Sequence, residues 1–397
     1  MSKIKNIEAR EIKDSRGKPT VEVELVTDKG SFVASCPSGA STGKNEAAAL
    51  LPSQAIENIH TIIAPKMKGK NPEHQKELDE LMIALDGTEN KSHLGANAIL
   101  PASIAICRSG AAAKKLPLYQ HIANLANVGG RLSLPQPGFN ILNGGAHAKN
   151  DLKVQEFMIV PHKKTFRENL ALASKIFNNL TELLKKNYGK IPAMGDEGGY
   201  APEISKTEQA LFLLKNAIGS LEAKIGLDCA ASEFYQDGKY MLEGRAFSRQ
   251  ELIDFYKDLA MRFPIMFIED PFSEEDWEGF KEIHRALPQT IIIGDDLTAT
   301  NIKRIKEAQS KRSCNGVIIK PNQIGTVSET IEAVALAKSY GWKIMVSHRS
   351  GETLDNFIAD LAVGAGADFI KSGSPTQPER MVKYNRLLEI ENELHKK

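Results

Sequence analysis

The sequence predicts an α/β protein with a C-terminal (β/α) barrel, preceded by a smaller α+β domain. Two observations predict the barrel. Five short runs rich in Ile and Val recur about 25 residues apart, and they lack the alternation of a half-exposed strand. Amphipathic segments such as 276–287 and 327–341 lie between them. Strands buried on both faces that alternate with helices are typical of a parallel barrel.

Each of the five apolar runs ends at a polar or charged side chain. The runs are IMFIED (265–270), TIIIGDD (290–296), GVIIKP (316–321), KIMVSH (343–348) and DFIKS (368–372). The side chains at their ends are Glu269, Asp295, Lys320, His348 and Lys371. Because the chemistry of such barrels lies at the C-terminal ends of the strands, these side chains are expected to converge on one site.

The N-terminal part predicts three antiparallel strands followed by helices. Segments 3–12 and 20–30 alternate apolar and polar residues, and 31–37 predicts a third strand. Helical patterns follow at 52–67, 72–85, 93–115 and 116–126. Gly and Pro concentrate directly after the last of these. We therefore predict an N-terminal domain over 1–127, a linker over 128–138 and a barrel over 139–397.

The first part of the predicted barrel departs from simple strand–helix alternation. Segments 139–144 and 154–161 predict two strands, and the loop between them carries His147. The predicted elements after them are a helix at 165–187, a strand in 226–234 that ends near Asp228, a hairpin at 237–244 and a helix at 248–262.

Composition excludes several classes of protein. The 51 basic and 50 acidic residues balance, which argues against binding to nucleic acid through bulk charge. The four cysteines lie far apart without metal-like spacing, as in a reduced cytosolic protein. The sequence has no signal-peptide pattern and no apolar run near the roughly 20 residues of a membrane span. We expect a cytoplasmic protein without a membrane span.

Three of the candidate residues are carboxylates at the ends of strands that we predict to be consecutive. Asp228, Glu269 and Asp295 would repel one another unless a hard cation neutralised them, and Mg²⁺ accepts carboxylate oxygens. The alternative is that they cap helices or pair with basic side chains. Three acids in register favour the metal site.

Other residues suit chemistry on a small anion. Lys320 and Lys371 end apolar runs, and a lysine that is desolvated beside Mg²⁺ can act as a base; the alternative is a snorkelling side chain. Arg349 and Ser350 lie together where a strand should end, and a guanidinium suits phosphate. Glu197, between small residues in DEGG, is either an acid–base group or an exposed turn. Together these residues indicate a lyase or isomerase that uses Mg²⁺ and a lysine.

The segment SGASTGKNE (38–46) is rich in Gly and Ser and lacks the Walker pattern of phosphate loops. It predicts either a lid over the site or a solvated loop.

Eleven motifs occur in an order that identifies a known family. They are DSRGKPTVEVE, SGASTG, NILNGGAHA, VQEFMIVP, GDEGGYAP, LDCAASEF, IEDPF, GDDLTATN, KPNQIGT, SHRSGET and IKSGSP. With these motifs the chain resembles the enolases along nearly its whole length. The resemblance implies a barrel that begins ββαα, and reversible Mg²⁺-dependent dehydration of 2-phosphoglycerate to phosphoenolpyruvate.

The resemblance also implies a role for each matched residue. It makes Asp228, Glu269 and Asp295 the ligands of a first Mg²⁺, with Glu269 and Asp295 also facing the substrate, and Ser41 a ligand of a second Mg²⁺ recruited with the substrate. It makes Lys320 the base at C2 and Glu197 the acid at the C3 hydroxyl. The remaining expected substrate contacts are His147, Gln155, Glu156, His348, Arg349, Ser350 and Lys371.

Two departures from the family pattern carry their own expectations. The run after SGASTG is KNEAAALLPSQ (44–54), without the usual Arg and Asp, so we expect altered lid dynamics or subunit contacts. The chain stops at ELHKK without the usual tail, which would weaken the expected homo-oligomer.

Two alternatives to this activity stay open. One is a superfamily relative that acts on another acid. The other is a non-catalytic scaffold, or a plasminogen-type surface receptor that uses Lys396 and Lys397, with a secondary pool at the cell surface or secreted.

Overall fold

The computed structural model describes residues 2–40 and 43–396. Its N-terminal domain opens with an antiparallel sheet in the order β1 (Ile4–Lys13), β2 (Pro19–Thr27) and β3 (Gly30–Ser35). In β2 the buried Val21, Val23 and Leu25 alternate with the half-buried Glu22 and Glu24. The period-2 pattern of the sequence therefore becomes one face toward the core and one face toward solvent.

Helices cover the buried face of this sheet. They are α1 (Pro52–Asn58), a π-helical turn (Ile59–Ile63), α2 (Ala64–Met67), α3 (Gln75–Asp86), α4 (Ala96–Ala113) and α5 (Leu118–Leu125). The Ala-rich α4 is almost entirely buried and packs against β2 and β3. Its small side chains permit this close approach of backbones.

The second domain is a closed barrel of eight strands. In chain order they are β4 (Gln136–Asn143), β5 (Glu156–Pro161), β6 (Ala223–Asp228), β10 (Ile265–Glu269), β11 (Ile291–Gly294), β12 (Gly316–Ile319), β13 (Lys343–Ser347) and β14 (Phe369–Lys371). A separate small sheet comprises β7 (Tyr235–Gln236), β8 (Lys239–Leu242) and β9 (Arg245–Phe247). Strand β5 is antiparallel to β4 and β6, and the other barrel neighbours are parallel.

The helices confirm the predicted fold class. They are α6 (Phe166–Tyr188), α7 (Thr207–Ile218), α8 (Arg249–Arg262), α9 (Trp277–Ala286), α10 (Ile302–Lys311), α11 (Pro321–Ile324), α12 (Val327–Ser339), α13 (Phe357–Gly364) and α14 (Pro378–His395). The chain order β4, β5, α6, α7 is the ββαα start that we expected. The structure adds α7, α10, α11, α13 and α14 to the helices predicted from the sequence.

Two barrel strands begin earlier than the sequence pattern indicated. Strand β4 begins at Gln136, within the segment that we assigned to the linker. Pro137 and Gly138, which usually mark strand ends, pair with Ile370 and Lys371 of β14. Strand β6 starts at Ala223 and ends at Asp228, and the residues after it turn away as a 3₁₀ helix over Ala231–Phe234.

The interior of the barrel is filled by side chains. Its buried residues are Met158, Val160, Phe267, Ile293, Ile318, Met345 and Phe369. Phe267 lies over Gly226, where an added Cβ would lie 2.1 Å from the ring. Within residues 2–40 and 43–396, no helix has the length and apolarity needed to cross a membrane.

Candidate active site

The candidate residues converge because most barrel strands run in one direction. Asp228 and Glu269 end the paired strands β6 and β10 in the same register. Strand β5 runs the other way, so its first residue, Glu156, pairs with Asp228 at the same end. Three carboxylates from three neighbouring strands therefore lie at one end of the barrel.

Lys371 is the cation at the centre of this group. Its Nζ donates to Asp228 Oδ2 at 3.1 Å, to Glu269 Oε1 at 2.9 Å and to Glu156 Oε1 at 3.3 Å. Burial acts to lower the pKa of Lys371, but Asp228, Glu156 and Glu269 outweigh it and the pKa is raised well above its ordinary value. The ammonium therefore stays charged and holds the strand-end acids together.

Asp295 follows β11 and contacts a second lysine, Lys320, which follows β12. Lys320 Nζ donates to Asp295 Oδ2. Burial acts to lower the pKa of Lys320, but the Asp295 carboxylate outweighs it and raises the pKa. We predicted that desolvation beside Mg²⁺ lets this lysine lose its proton; burial alone does not do so, because the charge of Asp295 must also be compensated.

Glu197 lies in the loop before α7 and meets two histidines. Its Oε1 lies 3.5 Å from His147 Nδ1 and 3.4 Å from His348 Nε2, and its Oε2 accepts a hydrogen bond from Asn140 at 2.8 Å. Arg380 Nη1 lies 2.5 Å from His348 Nδ1. Because a guanidinium can only donate, Nδ1 accepts, and the Nε2 proton of the neutral ring faces Glu197.

Glu156 and Glu197 are a carboxyl pair with opposite pKa shifts. Oxygens of both lie within 4.8 Å of each other and of His147. Burial and the charge of Glu197 raise the pKa of Glu156 well above its ordinary value. Burial also acts to raise the pKa of Glu197, but His348 and His147 lower it well below its ordinary value. The two neighbouring carboxyl groups therefore differ in how firmly they hold a proton, an arrangement suited to acid–base chemistry.

Arg349 is buried at the other side of the pocket, where the two domains meet. Its Nη1 and Nη2 donate to both oxygens of Glu46 at 2.7 and 3.1 Å, and Nη1 also donates to Asn322 at 3.1 Å. The Ser350 hydroxyl accepts from Arg16 at 3.2 Å. Ser41 lies outside the described residues, but Gly39 and Ala40 line the pocket just before it.

The pocket has a donor set that fits divalent cations. Among its described lining residues are seven carboxylates and three lysine or arginine cations; the acids are Glu46, Glu156, Glu197, Asp228, Asp270, Asp295 and Asp296, and the bases are Lys320, Arg349 and Lys371. One group of three, Asp270, Asp295 and Asp296, has ligand oxygens within 4.8 Å of one another. Asp228, Glu269 and Asp295, the predicted ligands, end neighbouring strands. A hard cation would relieve this excess of negative charge.

Gln155, the remaining predicted site residue, precedes β5. Its Nε2 lies 3.5 Å from Asp228 Oδ2, and its Oε1 is buried without a hydrogen-bond partner among the described residues. The side chain therefore directs its donor toward Asp228 and keeps a buried acceptor unpaired among the described residues.

Several pocket residues were not predicted from the sequence. Glu46 and Asp296 stand in motifs that we quoted, but only the fold shows that the first pairs with Arg349 and the second belongs to an acid cluster. Arg380 lies inside α14, where nothing in the local pattern separates it from a surface arginine. It is fully buried and donates to the carbonyl oxygens of Arg349 and Ser350 at 2.7 Å each.

Two family models match the chain. The model described as "Enolase, N-terminal domain" matches residues 4–122. The model described as "Enolase, C-terminal TIM barrel domain" matches residues 131–397, more than half of the chain.

The chain belongs to the enolase family.

Membership explains why the barrel begins with two antiparallel strands and why a second domain reaches its mouth. Two groups among the described residues could hold a metal ion: His147 with Glu156 and Glu197, and Asp270 with Asp295 and Asp296. The match covers both domains, so the pocket between them is built from two parts of one family fold.

Proposed function

We propose that this enolase family member reversibly dehydrates 2-phospho-D-glycerate to phosphoenolpyruvate, with Mg²⁺ as its cofactor. The observation that carries the proposal is one pocket that holds a lysine, Lys320, and an acid pair, Glu156 and Glu197. Lys320 follows β12, while Glu197 hydrogen-bonds to Asn140 of β4. The base therefore follows β12, and the acid is bonded to β4, a strand three places farther around the barrel.

The substrate carries a phosphate and a carboxylate, and the pocket offers a contact for each. Arg349, with Ser350 beside it, suits the phosphate because a guanidinium binds phosphate oxygens through paired N–H groups. These groups now bind the carboxylate of Glu46 and would exchange it for the phosphate. Lys371, whose pKa is raised, suits the substrate carboxylate. Uptake of a trianion by an acid-rich pocket requires compensating positive charge. Two Mg²⁺ ions, one held by Asp228, Glu269 and Asp295 and one recruited with the substrate at Ser41, would supply that charge and stabilise the developing negative charge.

The proton transfers fall to the chain's own residues. Lys320 takes the C2 proton, for which it must be neutral; it becomes so when the charge of Asp295 is compensated, because that charge keeps its pKa raised. The Glu156–Glu197 pair holds a proton next to the site and delivers it to the C3 hydroxyl, which leaves as water. His147 and His348, both buried against Glu197, exclude water from it.

The two proton transfers can be separated by isotope exchange in deuterated water. Lys320→Ala should slow exchange of the C2 proton by about 10³-fold or more, because it removes the base. Glu197→Gln should retain exchange within about tenfold, while elimination falls by about 10²-fold or more. Exchange is followed by proton NMR and elimination by formation of phosphoenolpyruvate.

Lys91 provides the matched control for these variants. It is a buried lysine that pairs with Glu329 at the domain interface, away from the pocket lining. Lys91→Ala should lower stability but keep the ratio of exchange to elimination. Exchange at the wild-type rate in Lys320→Ala would show that the base is another residue.

A further inference from the structure

The turn between β11 and α10 holds two non-glycine residues in left-handed backbone conformations. Ala299 has φ of 46° and Thr300 has φ of 52°, and both are fully buried. A β-branched residue at positive φ is a genuine outlier, and such a conformation persists only where its surroundings stabilise it. The surrounding contacts must therefore hold Thr300 in place.

The hydroxyl of Thr300 makes two short hydrogen bonds and has a longer contact of 3.5 Å with the carbonyl oxygen of Ile318. It accepts from the backbone N–H of Lys320 at 3.0 Å and donates to Gln323 Oε1 at 2.8 Å. The hydroxyl has a single proton, so donation to the amide leaves its lone pairs for the N–H of Lys320. The position of the lysine backbone and the orientation of the glutamine amide are thus fixed by one atom.

Gln323 connects Thr300 to Asp295 through its side-chain amide. Because its Oε1 accepts from Thr300, its Nε2 faces Asp295 and donates to Oδ1 at 2.9 Å. The other carboxylate oxygen, Oδ2, accepts from Lys320 Nζ. Gln323 is 1% exposed. A closed circuit of hydrogen bonds therefore joins Thr300, Gln323, Asp295 and Lys320. It holds the backbone N–H and the Nζ of Lys320 and both carboxylate oxygens of Asp295.

We propose that Thr300 and Gln323 are a positioning pair that fixes Lys320 and Asp295 relative to each other. This inference rests on the proposed function, in which Lys320 is the base and Asp295 a metal ligand. Neither member of the pair touches the substrate in this account. The strain at Thr300 places the hydroxyl within reach of both the lysine backbone and the amide.

A purely structural role for Thr300 would also predict a loss of stability when it is changed. A substitution that removes the hydroxyl but keeps the shape of the side chain distinguishes the positioning role from the structural role. Thr300→Ser keeps the hydroxyl, whereas Thr300→Val keeps the shape and loses it. Gln323→Met removes both polar atoms of the amide while leaving the backbone of Thr300 unchanged, so it tests the same circuit if Thr300→Val does not fold.

Thr330 supplies a matched control. It is a fully buried threonine in α12 whose hydroxyl donates to the carbonyl of Thr326, the N-cap residue of that helix. Thr330→Val removes a buried hydroxyl of the same kind without a link to the site. Its effect on unfolding by urea measures the cost of losing such a hydrogen bond alone.

The experiment measures four quantities on the full chain: C2-proton exchange, kcat and KM for 2-phosphoglycerate, the Kd for Mg²⁺ by calorimetry without substrate, and the urea midpoint. Loss of a residue that orients a metal ligand typically costs 10- to 100-fold in metal affinity or activity. In Thr300→Val and Gln323→Met we expect exchange and kcat to fall by about 10- to 100-fold and the Kd for Mg²⁺ to rise about tenfold. We expect KM within about threefold of wild type, because phosphate contacts are untouched. Thr300→Ser should stay within about threefold of wild type in all four.

Either of two results would overturn the positioning pair. One is wild-type exchange and Mg²⁺ affinity in folded Thr300→Val or Gln323→Met; the other is a Thr300→Ser protein as impaired as Thr300→Val. If the wild-type protein forms no phosphoenolpyruvate, the proposed function fails, but the Mg²⁺ titrations still decide whether the pair positions Asp295. A wild-type protein that binds no Mg²⁺ would overturn both.

Discussion

Single side chains in the pocket take their charge state from the neighbours that the fold supplies. Lys320 is buried yet has a raised pKa, because Asp295 outweighs desolvation. Glu156 and Glu197 are both buried, yet their pKa values shift in opposite directions. Burial alone therefore does not set protonation here; the partner does.

His121 shows the opposite case, a buried histidine without a compensating partner. It is fully buried, and neither ring nitrogen has a hydrogen-bond partner among the described residues. Burial, with a contribution from Lys114, lowers its pKa to about 4. The unfolded chain binds a proton here near pH 6.5, so it gains protons before the folded chain does.

The free energy of unfolding should therefore fall as the pH drops from about 6.5 to about 4. Above about pH 6.5 the contribution of His121 to stability should be fully present. His121 should contribute about 2–3 kcal/mol to this loss. Urea unfolding at pH 7 and at pH 4.5 measures it. His348 contributes in the same direction, so the comparison is with His121→Leu, whose pH dependence should be smaller. An equal dependence in both proteins would show that His121 is not responsible.

The barrel strands differ in how well the sequence pattern predicts them. Runs such as those of β10 and β12 are continuous apolar segments, and a strand buried on both faces has that composition. The start of β4 could not be predicted, because Pro137 and Gly138 are unusual within strands.

Gly226 and Gly138 differ in the free space beside their Cα atoms. At Gly226 an added Cβ would meet the Phe267 ring at 2.1 Å, whereas at Gly138 the nearest atom, Met158 Sδ, is 3.5 Å away.

Gly226→Ala should therefore destabilise the barrel by about 1–3 kcal/mol, because the Phe267 ring must leave its position in a packed interior. Gly138→Ala, in the same layer, should change stability by less than about 0.5 kcal/mol. Urea midpoints compare the two. If both variants changed the urea midpoint equally, the barrel interior would accommodate an added methyl group at Gly226, and the Phe267 ring would not require a glycine there.

The candidate site is built from residues of both domains. Glu46 of the N-terminal domain pairs with Arg349 of the barrel. Farther away, Asp79 of α3 accepts from the backbone N–H and the hydroxyl of Ser328 at the start of α12, at 2.9 and 2.6 Å. These contacts hold the N-terminal domain against the barrel mouth. Proper function of the pocket therefore depends on both domains.

At this scale the sequence predicted the barrel, its ββαα start and the residues that the strand ends bring together. It could not predict partners such as Glu46 or Arg380, because contacts between distant segments leave no local pattern. The Thr300–Gln323 circuit was equally hidden, although both residues stand in motifs that identify the family. The roles of the matched residues, including Ser41 outside the described part of the chain, remain predictions.

The central claim is that this chain dehydrates 2-phosphoglycerate with Mg²⁺. The most direct measurement adds 2-phosphoglycerate and Mg²⁺ to the purified protein and follows phosphoenolpyruvate by phosphorus NMR. Phosphoenolpyruvate should form, formation should stop with EDTA and resume with excess Mg²⁺, and 3-phosphoglycerate should give no product. Folded protein that forms no phosphoenolpyruvate at any Mg²⁺ concentration would contradict the claim.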